Sequence, residues 1–235
     1  MAIKLTNVHK SFLLEGQKML VVHDVSLHVD DGEFVALVGP SGCGKSTILQ
    51  LIAGFYPPDS GEITVEGKTG LMPQQDMLLP WCNIERNIAL PCEIRGENFA
   101  EEVAKTENLL GEDVWQLFGL PGFQKSYPYQ LSGGMRQRAA LLRTYMDGGT
   151  LWLLDEPFAK LDALTKEELQ IHLMTICRKL NRGILFVTHD INEAIALAGR
   201  IYVLSARPGQ VIGEFLTDGR DHDELKREIK GLLRK

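Results

Sequence analysis

The chain has 235 residues, 44% hydrophobic and 24% charged, with a formal charge of −6. That length can bury a full apolar core in one domain, or in one domain with an insertion, and the acidic balance speaks against a nucleic-acid partner, which calls for basic surface. No apolar run reaches the ~18 residues of a membrane helix, the start "MAIKLTNVHKSF" has no secretory h-region, and the four cysteines make no CxxC pair or zinc spacing, so a cytosolic chain with reduced thiols is expected.

In chain order, "AIKLTNV" (2–8) and "VVHDVSLHV" (21–29) alternate apolar and polar residues, as half-exposed strands do. "EFVALVG" (33–39) is a nearly continuous apolar strand that runs through "PSGCGKST" into an apolar helix, "ILQLIAGF". From about Asn83 to Met146 no strand signal appears, and "NFAEEVAKTENLLGEDVWQLFGL" (98–120) has helical spacing. "LWLLDEP" (151–157) and "GILFVTHD" (183–190) read as further buried strands with polar ends. After His189 the chain returns to short strands in "RIYVLSARPGQVIGEFLTD" and finishes in a charged helix, "DHDELKREIKGLLRK". Apolar strands alternating with helices predict an α/β fold with a parallel sheet covered on both faces. An N-terminal β subdomain and core are expected over 1–74 and 150–235, with an inserted helical subdomain over 75–149.

"GPSGCGKS" (39–46) fits G-x-x-x-x-G-K-[ST] in the setting that a phosphate cradle requires, after a buried strand and before a helix. Gly42 and Gly44 let backbone N–H groups wrap a phosphate without Cβ clashes. Gly39, Pro40, Ser41, Cys43 and Thr47 complete the nucleotide-binding turn, Lys45 neutralises the β and γ oxygens, and Ser46 ligates Mg²⁺. "LWLLDE" delivers Asp155 and Glu156 to the carboxyl end of a strand, where open α/β sheets bind ligands. Asp155 is expected to hold Mg²⁺ through a water, and Glu156 to take a proton from the attacking water. A general base contributes ~10²–10⁴ in rate, or about 3–5 kcal/mol. Gln74 in "LMPQQDM" can span metal and water, and His189 can sense the γ-phosphate. Phe12 offers a ring either to adenine or to the core.

"LSGGMRQR" (131–138) places small residues at a second helix start, where free N–H groups attract anions. With "GPSGCGKS", "LMPQQ", "LWLLDE" and "FVTHD" in this order, the chain closely resembles the ABC transporter ATPases over essentially its whole length. The resemblance implies a P-loop NTPase (RecA-like) core and a head-to-tail dimer with two ATP at the interface. In it Ser132, Gly133 and Gly134 of one subunit meet the γ-phosphate held by the other, and Asp162 in "AKLD" organises the opposite site. Lys160 replaces the small residue common there, and "LLRTYMDGG" (141–149) departs from the usual alanine-rich helix, so altered packing is expected. One hydroxyl and one or two N–H groups facing a phosphate give ~1.5–3 kcal/mol each, only about millimolar affinity together. The P-loop therefore loads first.

Leu78, Leu79 and Trp81 in "LLPW" either plug a hinge or, as the resemblance implies, receive a helix of a membrane-spanning permease. Together with "LSARPG", this stretch resembles the branch importing nitrate, sulfonates and taurine, which implies a peripheral protein on the cytoplasmic membrane face. An extracytoplasmic solute-binding protein would complete such a complex. The alternative, a soluble non-transport ABC ATPase, should carry a long coiled coil or two ATPase halves, and the sequence has neither.

Overall fold

The computed structural model describes residues 2–234. The chain opens with β1 (Ile3–Leu14) and β2 (Gln17–Val29), followed by β3 (Phe34–Val38), α1 (Lys45–Ile52), β4 (Ser60–Val65) and β5 (Thr69–Met72). Helices α2 (Ile84–Arg95), α3 (Phe99–Leu110), α4 (Val114–Leu117) and α5 (Gly133–Met146) come next. They are followed by β6 (Leu151–Asp155), α6 (Ala163–Leu180), β7 (Gly183–Thr188), α7 (Ile191–Leu197), β8 (Arg200–Leu204), β9 (Val211–Leu216) and α8 (His222–Leu233).

Among the described residues two sheets form. An antiparallel one has the order β2-β1-β4, and a six-stranded one has the order β5-β6-β7-β3-β8-β9. Strands β5, β6, β7, β3 and β8 run parallel, and β9 joins antiparallel to β8. The α/β fold expected from the sequence is therefore present.

Alternation along the parallel strands sends side chains to two separate cores. Val35, Leu37, Leu153, Leu185 and Val187 pack with α1 and the antiparallel sheet. Ala36, Val38, Trp152, Leu154 and Phe186 pack instead with the helices between 84 and 146 and with α6, α7 and α8. Burial on both faces explains why these strands read as unbroken apolar runs.

Most helices begin at a side-chain cap that satisfies a free N–H. Asn83, Asn98, Asp113, Ser132, Asp162, Asp190 and Asp221 each accept a hydrogen bond from the first turn. One expectation is refined and one needs correction. The helical stretch at 98–120 is two helices, because Gly111 ends α3 in the left-handed region (φ 80°) and Asp113 caps α4. The chain also does not pass directly from His189 to strands, since Asp190 caps α7 before β8 begins.

Candidate nucleotide site

Strand β3 is central in its sheet, and its carboxyl end turns directly into α1 through residues 39–44. The turn is possible only with glycine at key points. Gly42 and Gly44 have φ 76° and 107°, the left-handed region that side chains disfavour. At Gly39 an added Cβ would lie 2.9 Å from Cys43 Sγ and 3.1 Å from Leu204 Cβ. Cys43 is buried beneath the loop. Lys45 is also buried, and its ammonium donates to the carbonyls of Gly39 (2.8 Å) and Pro40 (2.9 Å).

Above this turn lies a cleft of about 240 Å³. Ser41, Gly42, Gly44, Lys45, Ser46 and Thr47 form one wall and Gln74, Asp155 and Glu156 another, with the buried Val21 and, at the exposed rim, Arg207 completing the lining. Burial pushes the Asp155 carboxyl up, and its hydrogen bond with Ser46 works in the opposite direction. Ser46, Asp155 and Gln74 supply only oxygen donors, the chemistry that suits Mg²⁺. A glycine cradle with a buried cation beside it likewise fits a nucleotide phosphate.

Glu156 follows the end of β6 with φ 49°. Its backbone N–H donates to the Val187 carbonyl (2.9 Å), and its own carbonyl accepts from Gln137 Nε2 (2.7 Å). Its carboxylate meets His189 Nδ1 at 3.0 Å. His189 stands one residue past β7, the strand between β6 and β3, so the sheet brings Glu156 and His189 together although 33 residues separate them. The His189 side chain is 62% exposed and touches the cleft through Glu156.

Ser132, Gly133 and Gly134 do not line this cleft. Ser132 is exposed and caps α5, its Oγ accepting from Met135 N at 3.2 Å. The chain thus carries one full phosphate cradle and, apart from it, a second exposed helix start.

A family model described as ABC transporter matches residues 22–159, more than half the chain. The chain belongs to the ABC transporter family. It is 44% identical over 190 residues to the formylaminopyrimidine import ATP-binding protein ThiZ of Halalkalibacterium halodurans, covering 80% of this chain and 74% of that one. It is 38% identical over 216 residues to the taurine import ATP-binding protein TauB of Pseudomonas aeruginosa, covering 88% and 80%. Among solved structures it matches a dimeric ATP-binding cassette in a post-hydrolysis state bound to ADP and Pi. That match has a TM-score of 0.81 at 30% identity, with 93% of this chain and 100% of that one covered.

In this ABC cassette the remaining sequence candidates fall into three groups. Phe12 lies outside the cleft lining, edge-on to Tyr56 with centroids 5.3 Å apart, and it pairs with Met19 across the β1–β2 hairpin. Met19 Sδ in turn accepts from Arg207 Nη1, so this hairpin borders the cleft rim. Asp162 is exposed and caps α6, and its hydrogen bonds with Thr165 hold its carboxyl below the usual range. Residues of its loop pack on the start of α5. A Cβ at Gly134 would lie 3.1 Å from Leu161 Cδ2 and from the Lys160 carbonyl.

The "LLPW" stretch divides between its two readings. Leu78 is buried as a hinge plug would be, whereas Trp81 is 72% exposed. The segment is held by Asn87, fully buried on α2. Its side chain accepts from Leu79 N (2.7 Å) and donates to the carbonyls of Leu79, Cys82 and Asn83 at 3.0–3.1 Å.

Sequence reasoning missed three residues that organise the site. Arg207 lies on the cleft rim, its Nε donating to the Gly42 carbonyl at 3.0 Å. Gln137 joins the Glu156 carbonyl to the backbone N–H of Lys160 (2.9 Å), tying α5 to the loop between β6 and α6 at both points. Arg143 donates to the carbonyls of Asp76 and Met77 and, with the Arg136–Asp76 ion pair, fixes the segment after Gln74 to α5. Only the basic character of "MRQRAALLR" offered a signal for the last of these.

Proposed function

We propose that this chain is the ATP-hydrolysing subunit of a membrane importer of a small molecule, working as a head-to-tail dimer with two ATP at its interface. The observation that carries this reading is the pairing of one complete phosphate cradle with a separate, exposed helix start at Ser132. In this reading residues 75–149 form an arm that carries the second half of a neighbour's site, and 1–74 with 150–235 form the core that loads ATP.

Lys45 exchanges its carbonyl partners for β- and γ-phosphate oxygens, and the N–H groups of residues 41–47 wrap the same phosphates. Ser46, Asp155 and Gln74 are the residues that would hold Mg²⁺, which when bound offsets charge on the β- and γ-phosphates. Glu156 accepts the proton of the attacking water, and His189, bonded to its carboxylate, orients it and senses the γ-phosphate. Phe12 stacks on adenine from the hairpin beside the rim. Ser132, Gly133 and Gly134 close over the partner's γ-phosphate, and Asp162 braces the seam between the two subunits.

A test follows from the divided site. Turnover per chain should rise with chain concentration in dilute solution, because only dimers hydrolyse ATP. A strictly monomeric preparation with full, concentration-independent turnover would overturn the reading.

Arg207 supplies the rim with a cation, and its role in binding the nucleotide phosphates gives a second expectation. Arg207→Gln should weaken ATP binding about tenfold, the scale of one lost charged hydrogen bond. Equilibrium binding of a fluorescent ATP analogue measures it, and unchanged affinity would remove Arg207 from the site.

The coupling surface is Leu79 and Trp81, with the buried Leu78 plugging the segment beneath them and Trp81 as an aromatic anchor of the type that dominates interfaces. Its permease places the subunit on the cytoplasmic membrane face, and an extracytoplasmic solute-binding protein delivers the cargo. Trp81→Ala should reduce co-purification with the permease and leave nucleotide binding by the isolated subunit intact. Undiminished co-purification would count against the docking surface.

A further inference from the structure

Two buried polar side chains beside His189, Thr188 and Glu193, have no part in the chemistry assigned above. Thr188 ends β7 and Glu193 lies in the first turn of α7, so the pair brackets His189. The Thr188 hydroxyl donates to Glu193 Oε2 at 2.5 Å and accepts from Asp190 N at 3.0 Å. The second of these bonds spans His189 and closes its backbone into a turn of the kind that Ser and Thr hydroxyls form. Glu193 Oε1 pairs with Lys166 Nζ, and the same ammonium reaches Asp190 Oδ2 at 3.4 Å.

Helix capping does not account for Glu193. Asp190 already caps α7, accepting from Asn192 N at 2.8 Å, and the Glu193 oxygens go to Thr188 and Lys166 instead. A carboxylate taken out of water is costly unless it is both paired and hydrogen-bonded, and Glu193 has one partner of each kind. Burial draws the Lys166 pKa down, but its bonds to Glu193 and Asp190 outweigh that and hold it above the usual lysine value. Lys166 comes from a different element, α6, and its backbone N–H donates to the Asp162 carbonyl at 2.9 Å. Contacts therefore run from the start of α6 through Lys166 and Glu193 to both chain neighbours of His189. The His189 ring is held by one hydrogen bond among the described residues, to Glu156 at 3.0 Å, and is otherwise largely exposed. Its direction is set by its backbone, and its backbone by this brace.

We propose that Lys166 and Glu193 are positioning residues that hold the His189 ring toward Glu156 from the start of α6. Neither lines the cleft, and both act through His189. The inference rests on the reading of Glu156 and His189 as hydrolytic groups, and it assigns their mutual geometry to a salt bridge outside the cleft. A misplacement of about 1 Å in such a group costs up to ~10² in rate, whereas loading of ATP on the P-loop does not depend on it.

The test compares the full chain with Lys166→Met, Lys166→Arg, Glu193→Gln and the double variant Lys166→Met/Glu193→Gln. The double variant removes both charges together, so no unpaired buried carboxylate remains if Lys166→Met alone fails to fold. In saturating Mg²⁺-ATP, at chain concentrations where the wild type is dimeric, kcat of the double variant should fall about ten- to a hundredfold. Its affinity for a fluorescent ATP analogue should stay within about twofold of wild type, and Lys166→Arg should keep most of the rate. A second readout needs no nucleotide. The bond from His189 Nδ1–H to the Glu156 carboxylate favours one tautomer of the neutral ring, which nitrogen NMR of the imidazole, assigned against His189→Ala, reads directly. The double variant should move that balance toward Nε2–H. A double variant with wild-type kcat or wild-type imidazole signals would overturn the proposal, as would ATP affinity falling in step with kcat. Absence of hydrolysis by the wild type would count against the ATPase reading instead, and the imidazole signals would still decide whether the brace positions His189.

Discussion

Glu156→Gln should bind ATP with wild-type affinity, hydrolyse it ~10²–10⁴ times more slowly and accumulate as an ATP-bound dimer. The substitution keeps the shape of the side chain and leaves the backbone anchors to Val187 and Gln137 untouched. What it removes is a carboxylate oxygen able to take a proton, the group that now faces His189 at 3.0 Å. The difference is therefore chemical and leaves the fold intact. Phosphate-release kinetics with size-exclusion chromatography in ATP measure both effects. Phosphate release at the wild-type rate would dismiss Glu156 as the base.

Ser132→Asp should abolish ATP-dependent dimerisation and with it turnover, while the isolated subunit still binds ATP. Aspartate caps helices about as well as serine, so the bond that Ser132 accepts from Met135 N has a ready substitute. A carboxylate near the helix start also favours the dipole. The stability of α5 is thus preserved, and the added charge acts only if a phosphate approaches. Like charges brought together at an interface cost several kcal/mol, or ~10² or more in closure. Placed in the Glu156→Gln background, the variant should remain monomeric in ATP by light scattering. Persistent dimers would show that Ser132 does not face the neighbour's nucleotide.

The cradle and the acidic strand end were legible because each is a local event. "FVALVGPSGCGKST" encodes strand, turn and helix within 14 residues, and its glycines have one purpose each. Burial of the parallel strands was legible for the same reason, since both faces are apolar. Helix α2 is poorly marked because Pro91 lies inside it and its buried side includes a polar residue, Asn87. Asn87 reads as surface, yet it spends every donor and acceptor on the loop carrying Trp81. Arg207 and Gln137 were not legible, because their partners are remote. The Arg207–Gly42 contact spans 165 residues and exists only once β8 lies beside β3. Tyr145 in "LLRTYMDGG" is equally hard to read from sequence. It sits between Phe118 and Trp152, with Arg182 over its ring, an arrangement that residue-by-residue periodicity does not encode.

The strand order β6-β7-β3 fixes the gauge of the cleft. Neighbouring strands stand about 4.8 Å apart, so the ends of β3 and β6 are held roughly 9.6 Å apart by main-chain hydrogen bonding. Side-chain replacement along the walls can change the lining of that slot but not its width. Selection among nucleotides is therefore expected to fall to side chains at the mouth of the slot and not to the spacing of its floor.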